Sequence, residues 1–255
     1  MRTHDRSVHD QFDPQAAAYL TSSVHAAGAD LAAAANRVRE LKPAPREALD
    51  VGCGAGHLSF AVGPHVCRII ALDPSESMLA TVRRAAAERG LPGVETAHGQ
   101  AEQLPFGEAR FDLVCTRYSA HHWLDVPAAL KEMRRVVVPG GWLLVIDLLG
   151  DEHPLVDTWL QSIELLRDPS HVRDRSASQW GQLLTQAGFE LLEQASFATR
   201  LQFGLWVERM RTPAELVAAI RALQERAPAE VRDGLGLEAD GSFTARTGLL
   251  WAQAL

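Results

Sequence analysis

The chain has 255 residues, 47% hydrophobic and 22% charged, enough for one globular domain with a sizeable core or one domain plus an embellishment. A formal net charge of -7 supplies no basic field, which argues against a nucleic-acid or anionic-membrane partner held by bulk electrostatics. The three cysteines, Cys53, Cys67 and Cys115, are odd in number and lack CxxC spacing, so neither a disulfide framework nor a zinc site is expected.

At the N-terminus, MRTHDRSVHDQFDP carries charges where a signal peptide needs an apolar stretch. The best apolar run, WLLVIDLLG, is broken by Asp147 and too short to span a bilayer, so a cytoplasmic protein without a membrane span is expected. After Pro14, Leu20, Val24, Ala27, Leu31, Ala34, Val38 and Leu41 recur at steps of three and four, the stripe of a long amphipathic helix that KPAP stops. Short apolar runs then alternate with helical patterns: EALDV, a helix after Gly56, RIIALD, a helix from Ser75 to about Gly90, GVETAHG, FDLVCT, a helix through PAALKEMRRVV, and WLLVIDLL behind the turn PGG. That alternation predicts an α/β fold with an open, mostly parallel sheet and helices on both faces. Beyond Asp151, helices are expected at LVDTWLQSIELLRD, SASQWGQLLTQAG and TPAELVAAIRALQERA, with strands at FELLEQASFATRL and SFTARTGLLWAQAL.

In LDVGCGAG, the predicted first strand ends at Val51, and Gly52, Gly54 and Gly56 form the turn into a helix. Glycine suits a backbone that needs positive φ and lets a ligand lie against the main chain. Asp73 ends the next predicted strand at the same sheet edge, where a carboxylate holds ribose hydroxyls in α/β nucleotide sites. A dinucleotide loop reads GxGxxG, but here the third glycine falls one residue early and His57 takes its place, so no pyrophosphate grip is evident.

The loop instead resembles motif I of class I S-adenosylmethionine-dependent methyltransferases. The likeness continues through ALDPSESMLA, GQAEQLPF, FDLVCTRYSAHHW and LKEMRRVVVPGGWLLVID, covering Leu49 to about Leu149 in order, and is nearest the ubiquinone and menaquinone C-methyltransferase branch. It implies a Rossmann-like seven-stranded sheet with an antiparallel C-terminal strand, residues 1–45 as an N-terminal helical lid, and residues 46–255 as the cofactor domain with a cap insertion at about 150–180. S-adenosyl-L-methionine is then the cofactor and S-adenosyl-L-homocysteine its product. The residues implied to hold it are Asp50, Gly52, Gly54, Ala55, Gly56, Asp73, Pro74, Met78, Gln100, Ala101, Glu102 and Arg117, with Tyr19 on the lid helix. Gln100 stands where many members have Asp, so the adenine amine falls to its amide oxygen or to Glu102.

His121 and His122 follow the fourth predicted strand at that edge. They read either as proton acceptors or as polar loop residues, one lining the pocket and one capping the helix at DVPAAL. No metal site is expected from them. Arg167, Asp168, His171, Arg173 and Trp180 read as a cluster that rigidifies a loop, Trp206 and Trp251 as core aromatics, and the pairs at Arg83 and Arg134 as solvated surface. The expected activity is methyl transfer to carbon or oxygen of a small organic acceptor, by a monomer or homodimer. The alternatives are an NAD(P)-dependent oxidoreductase and a non-catalytic S-adenosylmethionine-binding protein.

Overall fold

The computed structural model describes Thr3, His4, Val8, Gln11, Phe12 and residues 28–255; Tyr19, Leu20, Val24, His25 and Ala27 lie outside the described residues. Seven strands form one sheet in the order β3-β2-β1-β4-β5-β7-β6. They are β1 (Glu47–Val51), β2 (Arg68–Asp73), β3 (Val94–His98), β4 (Phe111–Arg117), β5 (Val137–Leu149), β6 (Phe189–Leu201) and β7 (Phe243–Ala254). The first five run parallel, and β7 lies antiparallel between β5 and β6. This is the mixed α/β sheet the sequence predicts.

Helices α1 (Ala29–Glu40), α2 (His57–Val62), α3 (Glu76–Glu88), α4 (Val126–Val136), α5 (Pro154–Arg167), α6 (Ala177–Gln186), α7 (Phe203–Arg209), α8 (Ala214–Glu225) and α9 (Ala229–Leu235) cover the sheet and its far end. Strand alternation sorts the two faces. Leu49, Val51, Val114 and Val145 share a core with Leu130 and Met133 of α4 and Trp180 of α6. Ala48, Leu113, Cys115 and Leu144 share another with Leu31, Ala34 and Val38 of α1 and Leu58 of α2. Burying one large side chain of this kind contributes roughly 1.5–3 kcal/mol. Helix α2, which follows β1, thus lies on one face, and α4, which follows β4, on the other. The neighbouring strands β1 and β4 therefore part at their C-terminal ends, where open α/β sheets leave a crevice.

Three features differ from expectation. Strand β5 starts at Val137 rather than at Trp142, because Val137 already pairs with Phe111 across an irregular register and the PGG turn is absorbed into the strand. The short α7 and α9 were not expected; each has too few turns to show a clear apolar period. Their Trp206 and Val231 join α5 and α8 in a third cluster around Ile163, Ile220 and Phe243. Arg134 and Arg135 are not simply solvated surface: Arg134 bonds the Gly188 and Leu255 carbonyls, and Arg135 bonds Glu132 and the Phe106 and Leu104 carbonyls. Trp206 and Trp251 are core residues, 1% and 0% exposed. Among the described residues, no helix is long and apolar enough to cross a membrane.

Candidate functional site

After β1 the chain turns through Gly52–Gly56 into α2. Gly54 has φ +51°, and a Cβ placed on it would meet nothing within 4 Å. Its main chain faces open space. Gly56, at φ +86°, is glycine for a different reason: a Cβ there would lie 2.9 Å from Phe60 and 3.0 Å from Val82, where α2 presses against α3.

The space before Gly54 is a cavity of about 190 Å³ at the C-terminal edge of β1, β2 and β4. Of the residues singled out in the sequence, Asp50, Gly52, Gly54, Ala55, Asp73, Pro74, Met78, Gln100, Ala101, Glu102, Arg117 and His122 line it. Gly56 and His121 do not line it, and Tyr19 lies outside the described residues.

Asp73 is held by the loop it faces. Its Oδ2 accepts the Gly54 N–H at 2.8 Å and its Oδ1 the Ser75 N–H at 2.9 Å. Ser75 caps α3, accepting the Met78 N–H at 3.1 Å, and the first turn brings buried Met78 beside Ala55 and Phe12. Asp50 is fully buried. Its Oδ2 accepts from Ser59 Oγ at 2.6 Å, while Oδ1 has no hydrogen-bond partner among the described residues. Burial, opposed by Ser59 and reinforced by the Asp73 charge, pushes the Asp50 carboxyl up to about 7. Arg117 reaches the cavity wall, but its Nε donates to Asp30 Oδ2 at 2.5 Å, both side chains being 5% exposed.

A second cavity of about 100 Å³ adjoins the first; Phe12, Tyr118 and His122 line both, and His121 lines the second alone. His121 Nδ1 donates to Asp147 Oδ1 at 2.6 Å and its main-chain N–H to Oδ2 at 3.1 Å. Burial alone would drive the proton off His121, but the charge of Asp147 and the hydrogen bond to it outweigh burial and raise its pKa to about 9. His122 shifts the other way: burial, then the charge on His121, lowers its pKa. Its Nδ1 donates to the Ser170 carbonyl at 3.0 Å, which leaves Nε2 as the acceptor nitrogen of a neutral ring. The two environments push the neighbouring imidazoles apart, the arrangement that separates a charged donor from a neutral acceptor. Neither histidine caps α4; Asp125 does, accepting the Ala128 N–H at 2.9 Å.

The later cluster is tied down as expected, by Arg167 to Glu164 at 3.2 Å, Arg173 to Asp157 at 2.9 Å, and His171 Nε2 to Gln161 Oε1 at 2.8 Å, with Trp180 buried. Among the described residues, no group of three or more His, Cys, Asp or Glu could hold a metal ion.

Several lining residues are not singled out by the sequence. His4, Val8 and Phe12 line the first cavity; their spacing of four is a helical signal, but only the fold brings them to the sheet edge. Asp147 was visible as the charge interrupting WLLVIDLLG, and its role follows from the His121 contact that chain folding supplies.

Residues 49–145 match a family model described as a methyltransferase domain. The uncharacterised protein YafE of Escherichia coli K12 is 44% identical over 194 residues, 76% of this chain and 94% of YafE. The uncharacterised methyltransferase YcgJ of Bacillus subtilis 168 is 33% identical over 222 residues, 87% of each chain. The crystal structure of the Bacillus subtilis YcgJ protein superposes with a TM-score of 0.81, covering 88% of this chain and 97% of that one at 31% identity. That of a Bacillus halodurans C-125 protein gives 0.84 over 89% and 99% at 33% identity.

Proposed function

This chain belongs to the class I S-adenosylmethionine-dependent methyltransferases, and on that premise we propose that it methylates a carbon or oxygen of a small organic acceptor, with the cofactor seated in the first cavity. The observation that carries the seating is the charge of that cavity. Asp50, Asp73 and Glu102 line it, and the guanidinium present, Arg117, is already matched by Asp30. Such a lining repels a pyrophosphate and suits a ligand with a sulfonium and an ammonium group. This favours methyl transfer over nicotinamide chemistry.

The bound cofactor brings its own electrophile, a methyl group on positively charged sulfur. The chain's share is to bind, orient and exclude water. Gly54 offers bare main chain, and Asp73, fixed by two N–H groups at the strand end, is the carboxylate that receives the ribose hydroxyls. Asp50 presents its unpartnered oxygen to the cationic methionyl end. Met78 and Ala55 supply an apolar wall for the adenine, and Gln100, Ala101 and Glu102 its polar edge. His4, Val8 and Phe12, which line the first cavity, act as its lid, and the 150–180 segment, whose Arg167 and Asp168 line the second, as a cap on the acceptor side; α1, within the expected 1–45 lid, instead packs on the sheet face. Holding the reacting atoms in line in this way supplies up to about 7–11 kcal/mol of a barrier.

Calorimetry tests the seating, with S-adenosylhomocysteine expected to bind and NAD(P) not. Tight NAD(P) binding with no affinity for S-adenosylmethionine would overturn it. Transfer of labelled methyl to a panel of small acceptors, with the product mapped by NMR, assigns carbon or oxygen.

A further inference from the structure

The two cavities share Phe12, Tyr118 and His122 in their linings. Apolar groups, among them Leu148, Leu201 and Met210, form part of the second cavity's lining. His121 is the polar group there whose ring is rigidly set, because Asp147 takes both its Nδ1–H and its main-chain N–H. Its Nε2 has no hydrogen-bond partner among the described residues.

We propose that the second cavity is the acceptor subsite and that His121, clamped by Asp147, anchors an anionic oxygen carried on an otherwise apolar small molecule. This rests on the first cavity being the cofactor site. The other charged groups lining the cavity, Arg167, Asp168 and Arg209, all have partners. Arg167 bonds Glu164 and the Trp206 carbonyl, and Asp168 Oδ1 takes the Ser170 N–H and hydroxyl. The groups facing His121 are Asp147 from β5, His122 beside it, Glu164 from α5, and Asp168, His171 and Asp174 from the segment after α5. His122 and His171 are held neutral, chiefly by burial, and burial likewise raises Asp174 toward its neutral form. His121 thus stays protonated at neutral pH, and its Nε2–H is a charged donor next to apolar walls, where pairing with an anion is stronger than in water. A phenolate, an enolate and a carboxylate all offer that oxygen.

The probes are 4-nitrophenol and 4-nitrobenzoate, with nitrobenzene as the neutral control, each titrated by calorimetry into the full chain with and without saturating S-adenosylhomocysteine. At least one anion is expected to bind the loaded protein. His121→Phe should weaken it about tenfold or more while leaving nitrobenzene nearly unchanged. Asp147→Asn should weaken it in the same direction, and the parent's affinity should fall as pH rises through about 9. Met210→Trp, which adds bulk at another residue lining the cavity, should abolish probe binding and spare S-adenosylhomocysteine, showing that the fold survives. Tighter 4-nitrophenol assigns a phenolate or enolate acceptor, tighter 4-nitrobenzoate a carboxylate. The proposal is overturned if neither anion binds the parent, if His121→Phe binds them as well, or if they compete with S-adenosylhomocysteine. A parent that binds the probes but no S-adenosylhomocysteine would count against the cofactor seating instead.

Discussion

Replacing Gly54 by alanine separates a ligand cradle from a merely tight turn. At φ +51° the new side chain strains the backbone by about 1–2 kcal/mol. Because its Cβ meets no protein atom within 4 Å, no steric cost adds to folding. The melting temperature should drop by about 2–8 °C, at roughly 2–4 °C per kcal/mol for a chain of this size. The same methyl projects where the cofactor is proposed to lie, and overfilling a close-fitting site costs about 1–3 kcal/mol. S-adenosylhomocysteine binding should therefore weaken about 5- to 150-fold, at about 1.4 kcal/mol per tenfold. Gly56→Ala is the control with the opposite signature. Strain and the clash with Phe60 and Val82 sum to about 2–5 kcal/mol of folding stability, with affinity in the folded fraction close to the parent's. Calorimetry and thermal melts on both variants check this. Parental S-adenosylhomocysteine affinity in Gly54→Ala would refute the reasoning, however far its melting point fell.

Asp73→Ala removes the acceptor of two main-chain N–H groups and the proposed ribose contact, and should cost about 1–3 kcal/mol of cofactor affinity; far-ultraviolet circular dichroism should show the sheet intact. Asp50 should make cofactor binding pH-dependent. With its carboxyl at about 7 in the free protein, a cationic ligand must displace a proton below that pH. S-adenosylmethionine affinity should then fall by up to about tenfold per unit below 7, level off above it, and lose the slope in Asp50→Asn; a flat profile in the parent would remove Asp50 from the site. Arg117→Met strands buried Asp30 and should destabilise the chain by about 3–5 kcal/mol, whereas adding Asp30→Leu should restore most of the loss in thermal melts.

The sheet and the glycine loop were legible because local rules govern them. Apolar runs of strand length separated by helical periods marked out β1 to β5 along the chain, and glycine at Gly54 together with Asp73 at a strand end marked one edge. What escaped depends on partners far apart in the chain. Arg117 and Asp30 are 87 residues apart, so the arginine looked available for a ligand until α1 brought its carboxylate alongside. His121 and His122 were indistinguishable as neighbours in sequence; Asp147 from β5 and the Ser170 carbonyl from the segment after α5 give them opposite characters. His4 reaches the His122 carbonyl at 2.8 Å across 118 residues, beyond any periodicity signal.

Strand β7 lies between β5 and β6, hydrogen-bonded to both. Its lateness in the chain imposes an order on biosynthesis. While a ribosome is making residues 202–242, the β6 segment has been produced but has no seat, and its backbone donors wait for a neighbour not yet translated. The five parallel strands from β3 to β5 can assemble earlier, whereas β6 docks only after β7 has left the exit tunnel. A stall or truncation before that point leaves a sticky edge open to other nascent chains, so removing residues 243–254 should yield aggregates rather than a smaller folded chain.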